Sequence, residues 1–145
     1  MQTYLVDIDD TVYSRTEQLD DDLQHLMNIK PFSGVKNFCT VHDCVFVTTG
    51  DPLLQMKKMR ILGLKKSASA IHVVSENKQK FSVFKLYPSS IVLGNRRDAE
   101  IRYGNLAGHY TVLFLHGKYA NLPIETEHDC ANEEYDCISE YVHKI

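Results

Sequence analysis

The 145-residue chain is 43% apolar and carries 16 Lys plus Arg against 19 Asp plus Glu, a formal charge of −3. That length suits one compact domain with a core of its own and is short for two. So mild a charge excludes a partner drawn in by bulk field alone, which disfavours nucleic acid and an anionic membrane surface. The first eight residues read as a strand and lack a basic start followed by a long apolar run. Neither a signal peptide nor a membrane span is expected, and the expected setting is the cytoplasm.

In chain order, β-rich apolar runs at 3–8, 44–48, 70–74, 90–93 and 110–115 predict five short strands. Segments with helical spacing fall between and after them, at 33–39, 52–64, 78–86, 98–107 and around 133–142. The second of these begins with Asp51 as N-cap and Pro52 at the first helical position, and stops at Gly63. Its apolar residues Leu53, Leu54, Met56, Met59, Ile61 and Leu62 are expected to face inward. Lys57, Lys58, Arg60, Lys65 and Lys66 then form a solvated basic face. Strands alternating with helices predict a parallel sheet. The expected architecture is a three-layer α/β sandwich on a central five-stranded parallel sheet, one domain over 1–145, with a small lid segment around 14–30.

The cysteines Cys39, Cys44, Cys130 and Cys137 are too sparse for a disulfide scaffold. His42-Asp43-Cys44 recurs as His128-Asp129-Cys130, but neither copy has the closely spaced cysteine pairs of a structural zinc site. Ordinary thiols are expected. The seven acids between Glu125 and Glu140, free of Lys and Arg, read as a solubilising surface.

Ligands of open parallel sheets sit beyond the carboxyl ends of the strands. At those ends the sequence places Asp7-Ile8-Asp9-Asp10-Thr11, then Thr48-Thr49-Gly50-Asp51, then Gly94-Asn95-Arg96-Arg97-Asp98-Ala99-Glu100. Lys78 and Lys80 open the helix before the fourth strand. Alternation along an extended chain points Asp7 and Asp9 to the same side. One carboxylate can attack phosphorus while the other protonates the leaving group and later deprotonates water. Mg²⁺, held by one or two carboxylates, waters and phosphate oxygens, would offset repulsion between an anionic nucleophile and an anionic substrate. The Thr48 hydroxyl, backbone amides near Gly50 and a lysine ammonium would cradle the transferring oxygens.

These residues resemble the haloacid dehalogenase-like hydrolase superfamily over nearly the whole chain. Asp7-Ile8-Asp9-Asp10-Thr11-Val12-Tyr13 is similar to the family's first motif, and Val45-Phe46-Val47-Thr48-Thr49-Gly50-Asp51 to its second. The resemblance implies Asp7 as nucleophile, Asp9 as acid and base, and Thr48, with Thr49 and Gly50 beside it, as the phosphate-binding stretch. It implies a motif lysine after Val73-Val74-Ser75-Glu76, with Lys78 favoured over Lys80. It further implies a Mg²⁺ site from Asp7, Asp9, Asn95 and one of Asp98 and Glu100, where the family's commonest pattern has Asp at the position of Asn95. The implied activity is a magnesium-dependent phosphatase working through an aspartyl phosphate. Dehalogenation fits less well, because the family's dehalogenases lack the second aspartate that Asp9 represents. The alternative is a catalytically weak relative that binds a phosphorylated ligand or a protein.

Arg96 and Arg97, at the mouth of this site, offer a contact for a second anionic group. The gaps from Thr11 to Thr48 and from Asp51 to Lys78 are too short for a cap domain. An open site is therefore expected, suited to a phosphorylated macromolecule, unless a second subunit of a homo-oligomer supplies the lid.

Overall fold

The computed structural model of the protein describes residues 1–18 and 23–145. Its centre is a six-stranded sheet in the order β3-β2-β1-β4-β5-β6. The strands are β1 (Thr3–Val6), β2 (Asp43–Thr49), β3 (Ala70–Val74), β4 (Ile91–Gly94), β5 (Tyr110–Phe114) and β6 (Glu133–Tyr135). Every pairing is parallel. The helices are α1 (Arg15–Gln18), α2 (Leu23–Leu26), α3 (Val35–Val41), α4 (Pro52–Ile61), α5 (Lys80–Phe84), α6 (Arg102–Leu106) and α7 (Ile138–Lys144).

Period-two alternation divides the core between the two faces of the sheet. Tyr4, Val6, Phe46, Leu93, Val112 and Phe114 pack on one side with Val35 and Phe38 of α3, Met59 of α4, and Ile138 and Tyr141 of α7. Leu5, Val45, Val47 and Val92 point to the other side, against Phe84 of α5 with Tyr103 of α6 alongside. Helices therefore cover both faces, as a parallel sheet requires.

The sheet has six strands where five were expected. Residues 133–135, expected to open the last helix, form β6 instead. Asn132 pins the start of this strand: its N–H donates to Thr111 O at 2.9 Å, and its Oδ1 accepts from Thr111 N–H at 2.8 Å. Tyr135 then packs against Phe114 and Tyr141. On α4, Asp51 is the N-cap, accepting from Leu54 N–H at 2.9 Å, but the buried residues are Gln55, Lys58 and Met59. Leu53 and Leu54 are exposed, contrary to the inward expectation. Of the lid expected around 14–30, the described parts include the single turns α1 and α2, and residues 19–22 lie outside the described chain. No described helix is long and apolar enough to cross a membrane.

β1 lies at the middle of the sheet, and from it the chain builds outward in both directions, to β2 and β3 on one flank and to β4, β5 and β6 on the other. The crevice beyond β1 is the topological switch point, where ligands of such sheets bind.

Candidate active site

A cavity of about 170 Å³ opens at this edge, lined by residues from every strand end except that of β6. Asp7 follows β1 directly and is held there by its own N–H, which donates to Leu93 O at 3.0 Å. Its carboxylate accepts from Lys80 Nζ at 3.1 Å and from Thr11 Oγ1 at 3.1 Å. Lys80 Nζ also donates to Glu100 Oε2 at 2.9 Å. Asp7, Lys80 and Glu100 are all buried, so one ammonium serves two desolvated carboxylates.

That shortage sets the electrostatics. Burial, and then the repulsion of Glu100, push the Asp7 carboxyl up to about 7, against which the Lys80 charge only partly pulls. Burial alone would lower Lys80, but Asp7 and Glu100 more than reverse this and hold the ammonium above its ordinary range. Asp7 is therefore strained for want of positive charge.

Asn95 completes the cluster. With its amide nitrogen turned to the acids it donates to Asp7 Oδ2 at 2.9 Å and to Glu100 Oε1 at 3.2 Å. Its backbone N–H donates to Glu100 Oε1 at 3.1 Å. Glu100 reaches this point from a π-helical turn, Arg97–Ile101, and crosses directly over Gly94. A Cβ on Gly94 would lie 2.4 Å from both Cβ and Cγ of Glu100. Only glycine permits that approach.

Asp9 is fixed from α4. Its carboxylate accepts from Lys58 Nζ at 2.8 Å, from Tyr13 OH at 2.9 Å and from Gln55 Nε2 at 3.4 Å. Gln55 Nε2 also donates to Thr48 Oγ1 at 2.5 Å, joining the ends of β1 and β2. Because Thr48 accepts from Gln55, its own O–H remains to donate toward the cavity. Thr49 donates to Asn77 Oδ1 at 2.7 Å, and both line the cavity.

The structure thus brings together Asp7, Asp9, Thr48, Thr49, Lys80, Asn95 and Glu100. It does not bring Lys78, Asp98 or Gly50 into the group. Lys78 is 70% exposed and pairs with Glu76 at 3.5 Å. Glu76 caps a 3-10 turn over Asn77–Gln79, and residues two apart on such a turn are rotated by about 240°, onto different faces. With Lys80 facing in, Lys78 must face out. Asp98 grips Arg96 with two bonds of 2.9 Å, which holds its carboxyl below the usual range. The Gly50 N–H donates to Val74 O at 3.0 Å within the sheet, so it is not available to phosphate.

Sequence reasoning missed Gln55 and Lys58. Both were read by the apolar pattern of α4, Lys58 as part of a surface patch, although Lys58 is buried and turned to Asp9. Their i, i+3 spacing was the available signal. Arg15, Lys118 and Tyr119, which also line the cavity, went unnoticed: Arg15 opens α1 beyond the first motif, and the loop after β5 that holds Lys118 and Tyr119 carries none of the motif residues.

The donors suit a hard divalent cation. Asp7, Asp9, Asp10 and Glu100 line the cavity, and the buried ammonium groups reach three of them, Lys80 bridging Asp7 and Glu100 and Lys58 pairing with Asp9. Oxygen ligands predominate, and Asn95 can present the carbonyl end of its amide instead of the nitrogen. Among the described residues no three His, Cys, Asp or Glu side chains form a ready-made cage. Mg²⁺, which keeps several waters and takes few protein ligands, does not need one.

The fold is that of the haloacid dehalogenase-like hydrolases. A magnesium-bound HAD hydrolase from Bacillus subtilis superposes with a TM-score of 0.74 at 16% identity, over 99% of this chain and 97% of that one. A haloacid dehalogenase-like family hydrolase from Xanthomonas campestris gives 0.74 at 14%, over 99% and 94%. A heptose 1,7-bisphosphate phosphatase from B. bronchiseptica, complexed with magnesium and phosphate, gives 0.66 at 11%, over 99% and 97%. No family model matches the sequence, and no curated protein matches it.

Proposed function

We propose that the protein is a magnesium-dependent phosphomonoester hydrolase with Asp7 as nucleophile. The observation that carries this reading is the buried Asp7–Lys80–Glu100 cluster, short of positive charge and open to a cavity that also receives Thr48, Asp9 and Asn95. Asp7 and Asn95 are the side chains that would hold Mg²⁺, and the ion would supply charge neutralisation between carboxylate and phosphoryl group. The solved structures with bound magnesium support the choice of metal.

In this reading an Asp7 oxygen bonds to phosphorus as the ester P–O bond breaks. Asp9 delivers a proton to the departing oxygen. The resulting aspartyl phosphate is then attacked by water, from which Asp9 takes a proton, releasing inorganic phosphate and regenerating Asp7. Lys80 and the Thr48 hydroxyl stabilise the charge on the transferring oxygens. Gln55, Tyr13 and Lys58 keep Asp9 beside the reacting centre.

A second reading, a catalytically weak protein that binds phosphorylated ligands, draws on one observation: Asn95 provides a neutral oxygen where a third acid would strengthen metal binding. A screen of phosphorylated compounds with Mg²⁺ present or chelated separates the two. Magnesium-dependent release of phosphate, abolished in Asp7→Asn at unchanged folding, supports the enzyme. Binding of phosphorylated compounds without turnover would leave only the second reading.

A further inference from the structure

The cavity has two unlike flanks, and the strand order explains why. On the β2–β3 flank it is lined by the hydroxyls of Thr48 and Thr49 and the amide of Asn77. On the β4–β5 flank it is lined by Arg96, Lys118 and Tyr119, with Arg15 following the loop after β1. Phosphoryl transfer at Asp7 already has Thr48 and Lys80 and makes no use of this basic, aromatic flank.

The flank is built rather than incidental. Tyr119 lies under the Arg96 guanidinium, whose Cζ is 3.8 Å from the ring centroid, and Asp98 fixes that guanidinium by two bonds. The loop carrying Lys118 and Tyr119 is anchored one step earlier. Gly117 has φ +85°, and a Cβ there would come within 2.6 Å of Asp10. His116 Nε2 meets Ser14 Oγ at 2.7 Å, and its ring packs edge-on against Phe32. Asp10 itself accepts from the N–H and the hydroxyl of Thr16 at 2.9 Å each. Arg96 gives two of its N–H groups to Asp98, whereas Lys118 is exposed, lies over the Tyr119 ring with Nζ 5.1 Å from the centroid and, among the described residues, has no carboxylate at ion-pair distance.

We infer that the β4–β5 flank is a subsite for a second anionic group, so that the preferred substrates are phosphomonoesters bearing a further phosphate or carboxylate a short distance from the scissile one. Lys118 supplies the cation. Tyr119, with Arg96 and Lys118 both over its ring, supports the two cationic side chains beside the cavity. This inference rests on the phosphatase reading of the same site.

The test is a series of α,ω-diol bisphosphates with two to six carbons, each compared with the monophosphate of the same diol, in the presence of Mg²⁺. For at least one chain length kcat/KM for the bisphosphate should exceed that for the monophosphate by roughly fivefold, as an exposed ion pair at the upper end of its range allows. Lys118→Met should remove most of that preference, through KM for the bisphosphate. Equal kcat/KM for each pair, or an equal loss on both members in Lys118→Met, would overturn the subsite while leaving the phosphatase reading intact. Titration of the same compounds into Asp7→Asn separates the remaining case: tighter binding of the bisphosphate without wild-type turnover of either compound would sink the phosphatase reading and keep the subsite.

Discussion

Replacing Asp7 by asparagine removes the ionisable proton and keeps the shape of the side chain. The wild-type carboxyl is pushed from its ordinary 3.8 to about 7 in the folded state, a difference of roughly three units or about 4 kcal/mol. A raised folded value means that the native state holds its proton longer than the unfolded chain does. The contribution of Asp7 is therefore fully present below about pH 4 and is lost as pH rises through about 7. Because that shift already nets the pull of Lys80 against burial and Glu100, the neutral variant should escape the whole loss. Without metal, Asp7→Asn is expected to be more stable than wild type by on the order of 4 kcal/mol at pH 8, roughly 10 °C for a chain of this size. The gap should shrink by more than half at pH 5 and close near pH 4. Thermal or urea unfolding in chelator across this range measures it, and Mg²⁺ at pH 8 should narrow the gap by stabilising wild type alone. Equal stability at every pH, or a less stable variant at pH 8, would refute the charge-deficit account.

Asn95→Asp places a carboxylate 2.9 Å from Asp7 Oδ2; it should lower stability in chelator by roughly 2 kcal/mol and tighten Mg²⁺ binding, and unchanged or weaker affinity in a Mg²⁺ titration would remove Asn95 from the ligand set. Gly94→Ala drives Glu100 away from Lys80; a loss of roughly 2–4 kcal/mol with at least a tenfold fall in kcat is expected, and near-wild-type unfolding and turnover would contradict the close approach. Lys58→Met leaves Asp9 with only neutral donors among its described contacts; kcat should fall by roughly tenfold or more, whereas full activity would show that the ammonium does not serve Asp9.

Period-two strands and alternating helices were legible because burial on both sides of a parallel sheet writes itself into the sequence as short apolar runs. β6 was not, since Glu-Glu-Tyr has no apolar run, and its place is set by Asn132 and by Tyr135 stacking on distant rings. In the site, Asp7, Asp9 and Thr48 follow directly from strand ends. The choice between Lys78 and Lys80 turned on where a capped turn begins, which depends on Gln79 reaching back to the N–H groups of Ser75 and Glu76. Glu100 rather than Asp98 reaches the cavity because the wide turn carries it across Gly94. Gln55 and Lys58 were hidden by the habit of reading α4 through its leucines, two of which proved to face solvent.

The two ends of the sheet differ in ways that bear on how the chain behaves in a crowded solution. β6 is three residues long, and Glu133 and Glu134 place carboxylates on it, with Glu133 further tied to the hydroxyls of Tyr110 and Tyr135. Short length and charge discourage another strand from adding there. β3, at the opposite end, runs Ala-Ile-His-Val-Val over five residues without an acid, lysine or arginine, a composition that favours strand addition. One border of the sheet is therefore guarded by charge and shortness and the other is not; beside the second, His72 meets the Tyr87 hydroxyl at 2.7 Å.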